Sequence, residues 1–403
     1  MNDLRTILLL GGSAQQIVAI EQSRRCGYRT VLCDYLPDNP GQHFADVFHL
    51  VSTTDKEAVL EVARAERVDG VVAYASDPAA PTAAYVAEQL GLPTNPLKGV
   101  EVLSTKTLFR AHMRDQGLPC PQAVAIPAGV SVERACELVS DLRFPIVMKP
   151  TDSSGSKGVT VLDDLASIGS ALDFARMFSR NSTLIAEEYI YNINPFVVAG
   201  DIFVLDGAIR FWGFTNCLRS DEFPLLPYLD TMPTMLSPDT LARTKEVLQA
   251  LVSSLGIRFG GLNVEVIIGK DDIPYVVELG ARAGGNMLPV QLTDASGIDL
   301  VRASMMCAMG DDPGALDWET DGGCNATYVL HAMQPGTYRG YVLSDELKAA
   351  CYRECVYKKL GDRVEPFKDA SDALGILFFR FENEAEMYET LSCINDGITV
   401  HVK

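Results

Sequence analysis

The sequence predicts a mixed α/β and α+β protein: an N-terminal doubly wound parallel α/β domain, a larger region of hairpins and helices, and a small α+β unit at the end. Three observations carry this reading. Short apolar runs alternate with helical stretches over residues 1–95. Strands joined by glycine- and aspartate-rich turns dominate the middle. Strand-like runs return after Thr320 and finish on one helix.

Composition narrows the function classes. The chain has 403 residues, enough for two or three domains, and 47% hydrophobic residues, ample for their cores. A net charge of −19 argues against a nucleic-acid partner, and no Lys/Arg cluster offsets it. No apolar run is long enough to span a membrane, and Ile7–Leu10 reads as a strand, not a signal peptide. Ten cysteines without a CxxC pair fit reduced thiols, so a cytoplasmic location is expected. Five isolated histidines give no transition-metal spacing.

The elements follow in order. Thr6–Leu10 is a buried strand, Gly11-Gly12-Ser13 a turn, and Gln15–Cys26 a helix closed by Gly27. Strands Thr30–Asp34, Ala45–Leu50 and Gly70–Tyr74 alternate with helices Lys56–Glu66 and Pro81–Gly91. The Gly11-Gly12 turn reads either as an anion-holding helix N-terminus or as a plain tight turn. The run GGSAQQ lacks the third glycine of a dinucleotide fingerprint, which disfavours NAD despite Asp34 at the end of the second strand. Leu92–Pro96 is a linker. Ser104 is expected to cap a helix from Thr105 to Gln116. Lys106 opposes the dipole in its first turn. An anionic partner would account for that, and an exposed lysine is the plainer alternative.

Phe144–Lys149 and Val159–Leu162 are strands joined by Thr151-Asp152-Ser153-Ser154-Gly155-Ser156-Lys157-Gly158. Such a loop brings backbone N–H groups close to phosphate oxygens, and Lys149 directly precedes it. A helix Ile168–Arg180 and a strand Thr183–Ile190 follow, and the edge of that strand offers the donor and acceptor that an adenine needs. Phe196–Leu205 and Ala208–Phe214 form a hairpin around Asp206-Gly207. Helices are expected at Pro238–Leu255, Ile298–Met309 and Glu384–Ile394, and late strands at Asn325–Met333, Arg353–Leu360 and Leu374–Phe381.

The strands Leu262–Ile268 and Ile273–Leu279 each carry one glutamate, Glu265 and Glu278. An even-length turn pairs Ile268 with Ile273, sets Glu265 opposite Val276 and Asn263 opposite Glu278, and makes the glutamates diagonal neighbours on one face. Two such carboxylates repel unless a cation lies between them, and oxygen ligands suit Mg²⁺. Solvated glutamates on an exposed face are the alternative. Arg282 follows at once and is placed to hold a phosphate oxygen.

Lys106, Lys149 with its loop, Glu187-Glu188-Tyr189-Ile190 and Glu265/Glu278/Arg282 occur in that order. In this the chain resembles the ATP-grasp superfamily. Its layout is similar to carboxylate–amine/thiol ligases related to purine-biosynthetic ligases, biotin carboxylase and carbamoyl-phosphate synthetase halves. The resemblance implies a pre-ATP-grasp domain over 1–95, an ATP-grasp region over 96–310 with a mobile lid at about 120–190, and a 311–403 unit completing the core. It implies ATP with Mg²⁺ or Mn²⁺, small carboxylate and amine substrates, and a homodimer. Lys106 and Lys149 would bind phosphates, and Ser153, Ser154, Gly155, Ser156 and Gly158 would belong to the closing loop. Glu187, Glu188, Tyr189 and Ile190 would form the adenine hinge, with backbone contacts from Glu188 and Ile190. Glu265 and Glu278 would bind the metal, and Arg282 with Lys149 would act on the transferred phosphoryl group. Two positions depart from the family pattern. Asn194 stands where many relatives have a ribose-binding glutamate, and Gly280 where many have a metal-binding asparagine. Asn263 is the candidate replacement for the latter. The competing expectation is a nucleotide-binding regulatory protein with a degenerate site.

Overall fold

The computed structural model describes residues 4–153, 155–219, 226–319 and 323–403. The N-terminal sheet is parallel, with strands in the order Val47–Leu50, Arg29–Asp34, Thr6–Leu10, Gly70–Val72. Every side chain of Thr6–Leu10 is buried, as expected of a parallel strand covered on both faces. Helices Ile17–Arg25, Lys56–Glu66 and Ala80–Leu90 supply that cover.

A second, antiparallel sheet orders Ala123–Ile126, Leu184–Glu188, Ile146–Pro150 and Thr160–Leu162. Helices Val132–Leu138 and Ile168–Met177 bury its apolar residues Ile126, Ile146, Met148 and Ala186. The Ser/Gly loop does connect two strands of this sheet, as the sequence implied.

The third sheet organises the rest. Its nine strands run Pro274–Gly280, Phe259–Ile268, Val197–Leu205, Ala208–Leu218, Leu229–Met232, Cys324–Leu330, Gly375–Phe381 and Cys351–Val356, with Trp318–Glu319 beside Ala208–Leu218. Three of its strands come from the last eighty residues, which thus share one sheet with the hairpin of Glu265 and Glu278. Alternation divides the sheet. Val198, Ile202, Val204, Leu262, Val264 and Val266 pack on Leu248, Leu251 and Val252 of the helix Pro238–Ser254. Ala199, Asp201, Thr215, Cys217, Asn263 and Glu265 lie on the other face.

Two tight approaches explain glycines. Gly200 has φ +146, and a Cβ there would lie 1.9 Å from Gly213 O on the neighbouring strand. Gly200→Ala is therefore expected to destabilise the fold by about 2–4 kcal/mol, measured by chemical denaturation. Gly99 sits inside the helix Leu97–Ser104, where a Cβ would meet Leu255 O at 2.6 Å. That helix was not among the expected elements, although Leu97, Val100 and Leu103 carry its spacing. It also takes Ser104, so the cap of the helix Lys106–Asp115 is Thr105, whose side chain makes no capping bond. The Lys106 N–H instead donates to Thr151 O at 3.1 Å.

Candidate active site

The turn of the central hairpin is odd, not even. Lys270–Asp272 form a short 3₁₀ turn with Asp271 and Asp272 at φ +61 and +55, and Ile268 pairs with Pro274. A register shift between Glu265 and Val266 then adds one residue on the partner strand. Glu265 therefore stands directly opposite Glu278, and Asn263 opposite Gly280. This corrects the diagonal placement. Directly opposed residues lie about 4.5–5.5 Å apart at Cα, so the two carboxylates are closer than expected. Arg110 secures the shift: its Nη1 donates to Val276 O at 2.9 Å and its Nη2 to Val277 O at 3.0 Å.

Burial pushes the Glu278 carboxyl above the usual range. Lys106 opposes that shift, and Asp77 and Glu265 add to it. Arg219 leans on Glu265, with Nη2 3.5 Å from its Oε2. A guanidinium thus offsets the charge of one of the two carboxylates. Among the described residues no three His, Cys, Asp or Glu side chains converge on one point. Glu265 and Glu278 would hold Mg²⁺ or Mn²⁺ only together with phosphate and water oxygens, which is how Mg²⁺ is commonly bound. The oxygen-only donor set fits such hard cations.

Lys149, next to last in the strand Ile146–Pro150, has its ammonium buried, and its Nζ lies 2.7 Å from Glu187 Oε2. Arg110 Nε donates to Glu187 Oε1 at 2.8 Å. Burial alone would raise the Glu187 pKa, but the charges of Arg110 and Lys149 and their hydrogen bonds bring it down to about 2. Lys149 is pushed below its ordinary value by burial and by Arg110 and Lys106, against the pull of Glu187. Lys106 Nζ donates to Ser153 O at 2.6 Å. Two cations, Arg110 and Lys149, thus share one acid, and Lys106 lines the same cavity. That imbalance suits a polyphosphate.

The hinge differs from expectation in one respect. Glu187 pairs on both sides within its sheet and turns its carboxylate inward, so it anchors cations and is not an adenine contact. Glu188 turns the other way, where its Oε2 accepts from Arg143 Nη2 at 2.8 Å. The amides of Glu188 and Tyr189 donate to Gln122 O at 2.9 Å and Pro145 O at 3.0 Å. Among the described residues the Ile190 amide has no backbone acceptor, and Ile190 lines the cavity.

That cavity has a volume of about 350 Å³ and lies between the second sheet and the central one. It gathers Lys106, Lys149, Ser153, Gly155, Ser156, Glu187, Glu188, Tyr189, Ile190, Asn194, Glu265 and Glu278. Ser154 lies outside the described residues. Gly158, at φ +75, stands back from the cavity against Pro150 and Phe178. Lys157 Nζ lies 3.4 Å from Asp369 Oδ1, tying the loop to the C-terminal segment.

Arg282 lines a second cavity of about 240 Å³, which shares Glu265 and Glu278 with the first. Its fork is held by Asp77: Nε donates to Oδ1 at 2.8 Å and Nη2 to Oδ2 at 2.5 Å. Asn263 Nδ2 donates to Gly200 O at 3.0 Å and to Asp201 Oδ1 at 3.1 Å. The Gly11-Gly12 turn is closed to anions. Gly12 N–H donates to Asp34 Oδ2 at 2.7 Å and Ser13 N–H to Gln16 Oε1 at 2.8 Å, so the plain-turn reading holds. Sequence reading missed Arg110, Arg219 and Asp230. Arg110 had a signal, since it lies one turn after Lys106 on the same helix face.

A protein-family model described as the carbamoyl-phosphate synthase L chain, ATP binding domain, matches residues 105–195. The chain is 26% identical over 324 residues to the carbamoyl phosphate synthase large chain of Corynebacterium glutamicum, a match covering 76% of this chain and 28% of that relative's length. The L-amino acid ligase of Bacillus licheniformis superposes with a TM-score of 0.80 at 20% identity over 100% of both chains. The biotin carboxylase domain of the Hydrogenobacter thermophilus 2-oxoglutarate carboxylase, solved with MgADP and bicarbonate, gives 0.78 at 14% identity over 100% of this chain and 92% of that one. No helix among the described residues is long and apolar enough to cross a membrane. Residues 105–195 thus match an ATP-binding domain family, and the chain as a whole shares the fold of these ligase and carboxylase structures.

Proposed function

We propose that the protein is an ATP-dependent, ADP-forming carbon–nitrogen ligase that activates a small carboxylate and couples it to an amine. A carboxylate oxygen attacks the γ-phosphorus, and the bond to the β-phosphate oxygen breaks, giving an acyl phosphate and ADP. The amine then forms the new C–N bond and phosphate leaves. The observation that carries this is one cavity lined by Lys106, Arg110 and Lys149 together with the opposed carboxylates Glu265 and Glu278. Phosphoryl transfer mostly needs positioning and charge neutralisation. Lys106 and Lys149 would hold phosphate oxygens, and Ile190 would receive the adenine. Asn194, half-buried at the cavity wall, would bond the ribose. Mg²⁺ on Glu265 and Glu278 would neutralise phosphate charge. The loop around Gly155 would exclude water, which otherwise hydrolyses the acyl phosphate.

A second reading, nucleotide binding without turnover, draws on the Arg282 fork being occupied by Asp77 and on Gly280 opposite Asn263. Two measurements separate them. ATP with Mg²⁺ is expected to raise the melting temperature, and NADH to leave it unchanged. An ADP-release screen over pairs of amino acids, small carboxylates and amines should then find turnover. Binding with no turnover on any pair favours the regulatory reading, and a shift with NADH alone sinks both.

A further inference from the structure

The second cavity holds an acid that the phosphoryl chemistry does not use. We propose, building on the ligase reading, that this cavity takes as the molecule to be activated an unphosphorylated amino acid with an apolar side chain, whose ammonium group pairs with Asp230.

Asp230 lies in the short strand Leu229–Met232, is 9% exposed, and lines the cavity. Thr215 Oγ1 donates to its Oδ1 at 3.2 Å. Cys217, opposite it across the sheet, supplies a weak thiol donor. Neither partner carries charge, and among the described residues no salt bridge reaches Asp230. Arg219 acts on it only at longer range and leans on Glu265. A buried carboxylate held by neutral donors keeps most of its desolvation cost, so a cation brought by a ligand gains there.

That cation is not a metal shared with Glu265. The strands of Asp230 and Glu265 are three steps apart in the sheet, about 14 Å at Cα by strand spacing. The two acidic positions instead bracket the space of a small zwitterion, with the ammonium at Asp230 and the carboxylate toward the Mg²⁺ that Glu265 and Glu278 would hold. An amine held as ammonium has no lone pair with which to attack. The amine at Asp230 therefore belongs to the molecule being activated, not to the acceptor.

The walls set the remaining chemistry. Leu226, Leu288, Val329 and Phe367 line the cavity and suit an apolar side chain. A phosphate on the substrate has no place. The Asp34 carboxylate and Gln16 occupy the amides of the glycine turn, Asp77 occupies Arg282, and Asp230, Glu265 and Glu278 add negative charge.

Calorimetric titration of the full chain, saturated with Mg²⁺ and a non-hydrolysable ATP analogue, tests this. Leucine, methionine and phenylalanine are titrated, each beside its des-amino analogue, together with O-phosphoserine. At least one of the three should bind about tenfold or more tighter than its des-amino partner, the loss expected when a charge-assisted hydrogen bond is removed. Asp230→Asn should erase that ratio while nucleotide affinity is kept and the melting temperature is unchanged or higher. Equal binding of the des-amino acids, tighter binding of O-phosphoserine, or an intact ratio in Asp230→Asn overturns the assignment. Amino acid binding that depends on Asp230 but comes without ADP release overturns the ligase reading and leaves the pairing of the ammonium with Asp230 standing. ADP release with des-amino carboxylates as good as with amino acids does the reverse.

Discussion

Glu278→Gln is expected to lower ATP turnover by about 100-fold or more while the melting temperature of the ligand-free protein stays the same or rises. Direct opposition to Glu265 leaves two carboxylates side by side, and burial together with Asp77 pushes Glu278 toward its neutral form. Such a pair opposes folding slightly and serves to hold a cation. Glutamine keeps the shape and removes one charge, so the fold loses a repulsion and the site loses a metal ligand. The loss falls in the range measured when one preorganised electrostatic contact to a transition state is removed. Nucleotide binding should survive in part, because Lys106, Lys149 and Ile190 are untouched. Glu265→Gln should lower turnover similarly with less gain in stability, because Glu265 also steadies Arg219. ADP release and thermal denaturation read both effects. Normal turnover in Glu278→Gln would refute the metal assignment.

The parallel domain was legible because its first strand is a nearly continuous apolar run and the helix Lys56–Glu66 a periodic one. The helix Lys56–Glu66 has the bounds its pattern predicts, with Asp55 as N-cap. Order along the chain singled out Lys106 and Lys149, and both line one cavity. The register of the central hairpin was not legible. It depends on two aspartates in left-handed conformation and on a bulge that Arg110 supports from another helix, and no alternation records either. The Glu187-Glu188 doublet was ambiguous for a similar reason. Alternation says the two glutamates face opposite ways but not which one meets the cations. Asp230 was hidden because a four-residue strand gives too little pattern to tell a buried acid from a loop acid.

Glu187→Gln is expected to destabilise the protein at pH 7 by roughly 3–5 kcal/mol, because it leaves the buried cations Arg110 and Lys149 without their anion. The pKa supports the size. A carboxyl brought from its ordinary 4.5 to about 2 contributes on the order of 3 kcal/mol at neutral pH. Its folded value lies below its unfolded one, so the contribution is complete above about pH 4.5 and fades as pH falls toward 2. Wild type and Glu187→Gln should therefore differ most at neutral pH and converge in acid, a pattern that thermal scans from pH 7 down to pH 3 would display. An anion of another kind should also restore part of the loss. A polyphosphate brings negative charge to Lys106 and Lys149, so MgATP should raise the melting temperature of Glu187→Gln by more than that of wild type. Equal stability of the two proteins at pH 7 would mean that the cations do not depend on Glu187, and the excess positive charge assigned to the nucleotide cleft would lose its main support.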